Sequence, residues 1–90
     1  FYLLKNAINK ESSSNVKITL TKEILASKKC FTCKQVKEIV QLMSFESGKL
    51  EIAKYAYDFT TDKENYYTVA DAFSFSSSKE DLMIFIQNKK

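Results

Sequence analysis

The stretch that decides the fold is residues 32–43, Thr-Cys-Lys-Gln-Val-Lys-Glu-Ile-Val-Gln-Leu-Met. Its apolar residues recur at the i, i+3, i+4, i+7 spacing of a helix face that packs on a core: Val36, Ile39, Val40 and Met43. Thr32 and Gln35 have the spacing of a capping box, which closes the first turn of a helix. The stretch therefore predicts an amphipathic helix that begins next to Thr32.

Two helical segments are predicted before this helix. The first lies around Phe1 to Ile8. The second follows three consecutive serines, and its apolar face is formed by residues at four-residue spacing: Val16, Leu20 and Ile24. Ile18 and Leu25 widen this face. Residues 16–21 also alternate like a β-strand. A helix is favoured there because a lone strand would have no partner elsewhere in the chain.

Three helical segments are predicted after it. One runs from about Ser47 to Asp58. The next begins at Thr61, with Glu64 placed for a second capping box, and repeats the apolar stripe with Tyr66, Val69, Ala70 and Phe73. The last begins near Ser77, with Glu80 placed for a third box, and is expected to bury Leu82, Phe85 and Ile86.

The composition supports an all-α fold. The 90 residues contain no Pro and a single Gly, so the residues that most strongly interrupt helices are nearly absent. Ser, Thr, Asp and Asn, which favour helix N-caps, stand at the junctions instead. The chain is long enough for one domain. We therefore expect residues 1–90 to form one helical domain, a compact bundle of about five to six short helices.

The charge pattern argues against nucleic-acid binding. The net charge of +3 is carried by Lys alone, and the chain lacks Arg, whose guanidinium group recognises phosphates and bases in a bidentate manner. No apolar run approaches the roughly 20 residues that cross a bilayer, so no transmembrane segment is expected. Because the sequence starts at Phe1 rather than at Met, it is expected to be part of a longer protein.

An internal similarity relates the two best helices at an interval of thirty residues. Val36, Ile39, Val40 and Met43 correspond to Tyr66, Val69, Ala70 and Phe73. This interval is typical of helix-hairpin repeats, which leaves two interpretations: a short array of hairpins, or a compact bundle that arose by duplication. The bundle is favoured because an array needs about three repeats. Phe45 and Phe75, each just before a helix, are expected to fold back on the first turn as hydrophobic staples.

A resemblance to a known family extends over nearly the whole chain. It is carried by residues 35–47 and, further on, by Lys49-Leu50, Ala53-Lys54, Tyr57, Asp62, Asn65-Tyr66 and Asp71-Ala72-Phe73. These residues resemble a bacterial domain family of unknown function, whose members generally form the C-terminal part of exported Gram-negative proteins. The resemblance implies an extracytoplasmic location (periplasm, cell surface or secreted). It implies no reaction, substrate or catalytic residue.

Cys30 and Cys33 form the one motif that could carry chemistry. Cys33 falls in the first turn of the helix that is capped by Thr32. A helix start lowers the pKa of a thiol, as thiol–disulfide exchange requires. The chain, however, lacks the βαβ context in which such a motif indicates a redox enzyme. Two semi-buried thiols, or a small local disulfide in an exported protein, are the favoured interpretation. No metal site is predicted, because two thiolates without any His cannot complete a tetrahedral zinc site. No cofactor is predicted either.

Tyr55 and Tyr67 lie off the predicted core stripes and could form an exposed recognition surface, although a small core can also absorb such side chains. The absence of His excludes Ser-His and Cys-His nucleophile pairs. The sequence therefore favours a non-catalytic helical module that binds a protein partner or has a structural role in an exported bacterial protein. The alternative is a thiol–disulfide redox activity of Cys30 and Cys33.

Overall fold

The computed structural model describes residues 1–89, whose regular secondary structure is helical. Five α-helices span Tyr2–Lys10 (α1), Ser14–Lys28 (α2), Cys33–Gln41 (α3), Glu46–Ala56 (α4) and Ser76–Lys89 (α5). A short 3-10 turn, Tyr57–Phe59, extends α4, and a 3-10 helix, Lys63–Ala72, lies between α4 and α5. Lys90, the last residue of the domain predicted over residues 1–90, lies outside the described residues.

The all-α fold class is confirmed. Among residues 1–89 the only β-type pairing is an isolated parallel bridge between Phe31 and Thr60, and the alternating stretch 16–21 lies inside α2. The fifth segment is helical as predicted, but it has 3-10 geometry. It contains adjacent aromatic and β-branched residues, Tyr66-Tyr67-Thr68-Val69, which are weak α-helix formers.

The helices pack as three consecutive hairpins: α1 with α2, α3 with α4, and the 3-10 helix with α5. The hairpins lie side by side, so that α2 contacts α4, α4 contacts α5, and α3 contacts the 3-10 helix in the most extensive interface of the molecule. The second helices of the hairpins begin at Ser14, Glu46 and Ser76. The thirty-residue similarity in the sequence therefore corresponds to a hairpin unit of nearly constant length.

The core is formed mainly by the two stripes that the sequence predicted. Val36, Ile39, Val40 and Met43 are buried, as are Tyr66, Val69, Ala70 and Phe73. The last helix buries Leu82 and Ile86, while Phe85 is half-buried. Ile8 and Leu25 contribute from the first hairpin, and the core also includes Phe31 and the buried residues of α4 and the turn that extends it, Ile52, Ala53, Ala56 and Tyr57.

The four-residue stripe predicted for α2 is wrong by one position, although Leu25, expected to widen it, is buried. Val16 is exposed, and Leu20 and Ile24 are half-buried, whereas Lys17, Thr21 and Leu25 face the core. Lys17 can occupy a buried position because its ammonium group donates to the carbonyl oxygen of Leu42 at 3.1 Å. Thr21 can do so because its hydroxyl donates to the carbonyl oxygen of Lys17 at 2.7 Å. The aliphatic stem of the lysine thus acts as an apolar residue.

The same type of contact occurs again one hairpin later. Lys49, like Lys17, is the fourth residue of its helix, and its Nζ donates to the carbonyl oxygen of Ala72 at 3.1 Å. Leu42 and Ala72 both lie at the C-terminal end of a helix, where unpaired carbonyls and the helix dipole attract a positive charge. Each lysine therefore joins the start of one helix to the end of the helix that follows it.

One of the three predicted capping boxes is present. The Thr32 hydroxyl accepts from the Gln35 N–H, and the Gln35 side chain accepts from the Thr32 N–H. The second box is wrong, because the 3-10 helix begins at Lys63 after Asp62 and not at Thr61. The third is also wrong, since α5 already begins at Ser76. The backbone N–H groups just before α5, those of Ser74 and Phe75, instead donate to the Glu46 carboxylate at 2.8 and 3.0 Å.

Replacing Ile39 or Val69 with Asp should unfold the domain. Both side chains are completely buried, so an unpaired carboxylate there should cost more than about 4 kcal/mol, a large part of the stability of a small domain. Circular dichroism during thermal and urea unfolding would measure the loss. Thr19→Asp, on the exposed side of α2, is the matched control and should retain the helical signal. Normal melting of either core variant would contradict the assigned faces.

Replacing Tyr66 with Phe should lower the free energy of unfolding by about 1 kcal/mol. The buried hydroxyl donates to the carbonyl of Ala53, and this bond joins the 3-10 helix to α4. Burial also raises the pKa of Tyr66 well above its ordinary value, so the hydroxyl stays protonated. Chemical denaturation would measure the change. Tyr67→Phe, at an exposed position, should shift stability by less than about 0.5 kcal/mol, and equal effects of both substitutions would contradict the assignment.

Candidate interaction surface

The environment of Cys33 is unsuited to thiol chemistry. Its side chain is buried in the first turn of α3, and its Sγ donates to the carbonyl oxygen of Asp62 at 3.0 Å. The Cys33 N–H donates to the Asp62 carboxylate at 2.8 Å. Burial, followed by the hydrogen bond and negative charge of Asp62, raises the pKa of the thiol to about 12. The thiol therefore stays protonated at neutral pH.

The expectation that the helix start lowers the pKa of Cys33 is wrong for a physical reason. Asp62 already occupies the N–H of Cys33, and this hydrogen bond lowers the pKa of the Asp62 carboxyl group instead. The start of α3 therefore stabilises the Asp62 carboxylate, which belongs to a different hairpin, and not a Cys33 thiolate. Cys30 is exposed, and the two cysteines are not joined by a disulfide.

Tyr55 and Tyr67 are 37% and 58% exposed. The Tyr55 ring packs on Phe59, with ring centroids 5.4 Å apart, and Lys22 lies over it with its Nζ 5.4 Å from the centroid. These contacts hold Tyr55 against its own and the neighbouring helix. Within residues 1–89 no aromatic contact connects Tyr55 with Tyr67. The structure therefore gives no evidence that the two tyrosines form one patch.

Phe45 and Phe75 are a more prominent pair. They are 62% and 60% exposed, so the expectation that they fold back as buried staples is wrong. Phe45 immediately precedes α4 and Phe75 immediately precedes α5. The Glu46 carboxylate binds the backbone of Ser74 and Phe75, which holds these two helix starts together. Two large apolar side chains are thus presented to solvent on one edge of the bundle.

We call this edge the rim and define it as the first turns of α2, α4 and α5 with the residues just before them, 13–17, 44–48 and 74–78. Between the α2 and α4 parts of the rim lies a groove of about 340 Å³ that continues along the helices to Glu51. Its lining combines apolar side chains with serines and two charged residues: Ser14, Asn15, Lys17, Ile18, Met43, Ser44, Phe45, Ser47, Gly48 and Glu51. Phe45 therefore belongs to both the exposed edge and the groove.

Gly48 sets the distance between the two helices that form the groove. A Cβ atom at this position would lie 3.2 Å from Cδ1 of Ile18, closer than ordinary van der Waals contact. The absence of a side chain lets α2 and α4 approach each other beneath the groove. The single glycine of the chain was the available sequence signal for this close approach, but the sequence does not reveal its partner.

The electrostatics of the groove are set by Lys17 and Glu51. Lys17 is only 8% exposed and bonds to a neutral carbonyl, that of Leu42. Glu51 is paired with Lys22 at 2.5 Å, which compensates its charge. Neither the residue before α2 nor the residue before α4 makes a side-chain cap to the N–H groups that open its helix. The groove thus lies between two helix starts and is lined by a lysine whose ammonium group is partly buried.

The family model described as a domain of unknown function, DUF4476, matches residues 1–86. The chain belongs to this family. Neither a curated protein nor a solved structure matches the chain. The match to the family model agrees with the resemblance in its extent and in being to a domain of unknown function, and it assigns no activity. Within residues 1–89, no three His, Cys, Asp or Glu side chains lie together as a metal site would need, and no helix has the length and hydropathy to cross a membrane.

Iodoacetamide should modify one thiol per folded DUF4476 domain, that of Cys30, and two per denatured chain. The folded pKa of Cys33 lies above its ordinary value of 9.0, so its contribution to stability is complete below pH 9 and is lost as the pH rises towards about 12. Mass spectrometry would count the modified thiols, and urea unfolding across this pH range would compare the wild type with Cys33→Ala, which should lack this part of the decline. Rapid modification of both thiols in the folded protein would contradict the assignment.

Proposed function

We propose that this domain is a non-catalytic protein-interaction module of an exported bacterial protein, and that its partner binds at the rim. The observation that carries the proposal is the exposure of Phe45 and Phe75 at equivalent positions of two consecutive hairpins. Removing a Phe side chain from water contributes roughly 1.5–3 kcal/mol. Two such side chains on one edge can therefore supply much of the energy of a moderate-affinity complex.

The geometry of the rim supports this role. The helix starts are held by hydrogen bonds between hairpins. The Glu46 carboxylate accepts from the backbone N–H groups of Ser74 and Phe75, and Lys17 donates to the carbonyl oxygen of Leu42. A surface supported in this way loses little conformational entropy on binding. The groove beside Phe45 offers a concave site next to an exposed aromatic ring, as anchor residues at protein interfaces require.

The chemistry of the chain supports a binding role over catalysis. His is absent from the sequence, and the Cys33 thiol is buried and protonated. The thiol–disulfide alternative would need a reactive thiolate near its partner, whereas here Cys30 is exposed and Cys33 is buried. The extracytoplasmic location in this proposal rests on the family resemblance of the sequence.

The proposal can be tested by selecting binders from a displayed library of random peptides with the folded 90-residue chain as the target. Enriched peptides should share a motif with large apolar residues, and Phe45→Ala combined with Phe75→Ala should weaken their binding at least about tenfold. Isothermal calorimetry with one synthetic peptide from the selection would measure the affinities.

The matched control is the double substitution Tyr2→Ala and Leu3→Ala. These residues are even more exposed, but they lie on α1, and Leu3 borders a cavity with Lys28 and Cys30 at the other end of α2. The control should leave peptide affinity unchanged. Equal losses in both double variants, or a selection that enriches no peptide, would refute a recognition role of the rim and favour a purely structural one.

A further inference from the structure

The groove between α2 and α4 contains a positive charge without a matching negative one. Lys17 lines the groove and is 8% exposed. Its ammonium group has three N–H donors, and the single hydrogen bond described for it goes to the carbonyl of Leu42. Among residues 1–89 no carboxylate lies within ion-pairing distance of it. A partly buried ammonium group of this kind gains from an anion placed beside it.

The two helix starts add to this preference. Ser14 and Asn15 of α2 and Ser47 and Gly48 of α4 line the same groove. The first N–H groups of a helix have no partner within the helix, and neither helix has a side-chain cap at its start. Such groups and the helix dipole favour a negative charge. The first turn of α2 contains no acidic residue that could supply it, and Glu46 in the first turn of α4 accepts from the backbone of Ser74 and Phe75 instead.

The remaining lining is apolar. Ile18 and Met43 form part of the wall, and the exposed Phe45 ring lies at its edge. A ligand that fits this lining therefore combines an anionic group with an apolar body. Glu51 is the one acidic residue of the lining, and its carboxylate is already neutralised by Lys22 of α2.

From these observations we infer that the groove binds a carboxylate next to a large apolar side chain in a segment of the partner protein. In this inference the carboxylate binds beside Lys17 and the N–H groups of the two helix starts, and the apolar side chain packs on Ile18, Met43 and Phe45, which line the groove. This inference rests on the proposed function and specifies the chemistry of the partner. A planar carboxylate matches several N–H donors at once, because each of its oxygens accepts more than one hydrogen bond.

The test compares two small probes of equal shape, 3-phenylpropionate and the neutral 3-phenylpropionamide, by nuclear magnetic resonance titration of the isotope-labelled 90-residue chain. The carboxylate should shift the amide signals of Ser14, Asn15, Ser47 and Gly48 in a saturable manner. The neutral probe should bind roughly tenfold more weakly, since it lacks the charge-assisted hydrogen bonds. Equal affinities of the two probes, or shifts centred outside the groove, would overturn the inference.

Lys49→Met is the matched control for Lys17→Met. Both variants lose a lysine that donates to the end of a neighbouring helix, but Lys49 does not line the groove. Lys17→Met should abolish the preference for the carboxylate, whereas Lys49→Met should retain it. The comparison of the two probes on the wild type remains decisive if Lys17→Met does not fold.

The two proposals can fail separately. Displayed peptides that depend on Phe45 and Phe75 but show no requirement for an acidic residue, together with equal affinities of the two probes, would refute the carboxylate site and leave the proposed function intact. A preference for 3-phenylpropionate without any enriched peptide would refute the proposed function, since the groove would then serve a small molecule rather than a protein segment.

Discussion

The packing of α3 against the 3-10 helix is the interaction on which the rest of the structure depends. Val36, Ile39 and Val40 on one side and Tyr66 and Val69 on the other are buried, and together they form the centre of the hydrophobic core. The contact joins two segments about thirty residues apart in the chain. It therefore brings two hairpins together and, through them, positions the helices that carry the rim.

The arrangement of the hairpins explains why the rim exists. The second and third hairpins each contribute one helix to the interior pair, α3 and the 3-10 helix, and the second helix of each of the three hairpins starts on the same edge of the bundle. Lys17 and Lys49 connect these starts to the ends of the interior helices, and Glu46 connects the last two starts to each other. Polar bonds between hairpins thus hold an edge on which apolar side chains remain exposed.

The sequence predicted the fold better than the site. The stripes of α3 and of the 3-10 segment could be predicted because their side chains are apolar at each core position. The stripe of α2 could not be predicted, because a search for apolar residues at helical spacing passes over Lys17, a polar residue whose aliphatic stem is buried. The 3-10 geometry and the bond from Cys33 to Asp62 depend on contacts between hairpins, which local patterns do not contain. The groove was missed for the same reason, because its walls come from residues 14–18 and 43–51.

The 3-10 helix has a consequence for the dynamics of the core. A 3-10 helix rises about 2.0 Å per residue instead of about 1.5 Å, and its hydrogen bonds are less well aligned than those of an α-helix. Ten residues of 3-10 helix are longer than ten residues of α-helix, which suits a short chain. The side chains of Tyr66 and Val69 are thereby anchored on the backbone segment with the weakest internal hydrogen bonds. Amide hydrogen exchange in this segment should therefore be faster than the burial of its side chains alone would imply.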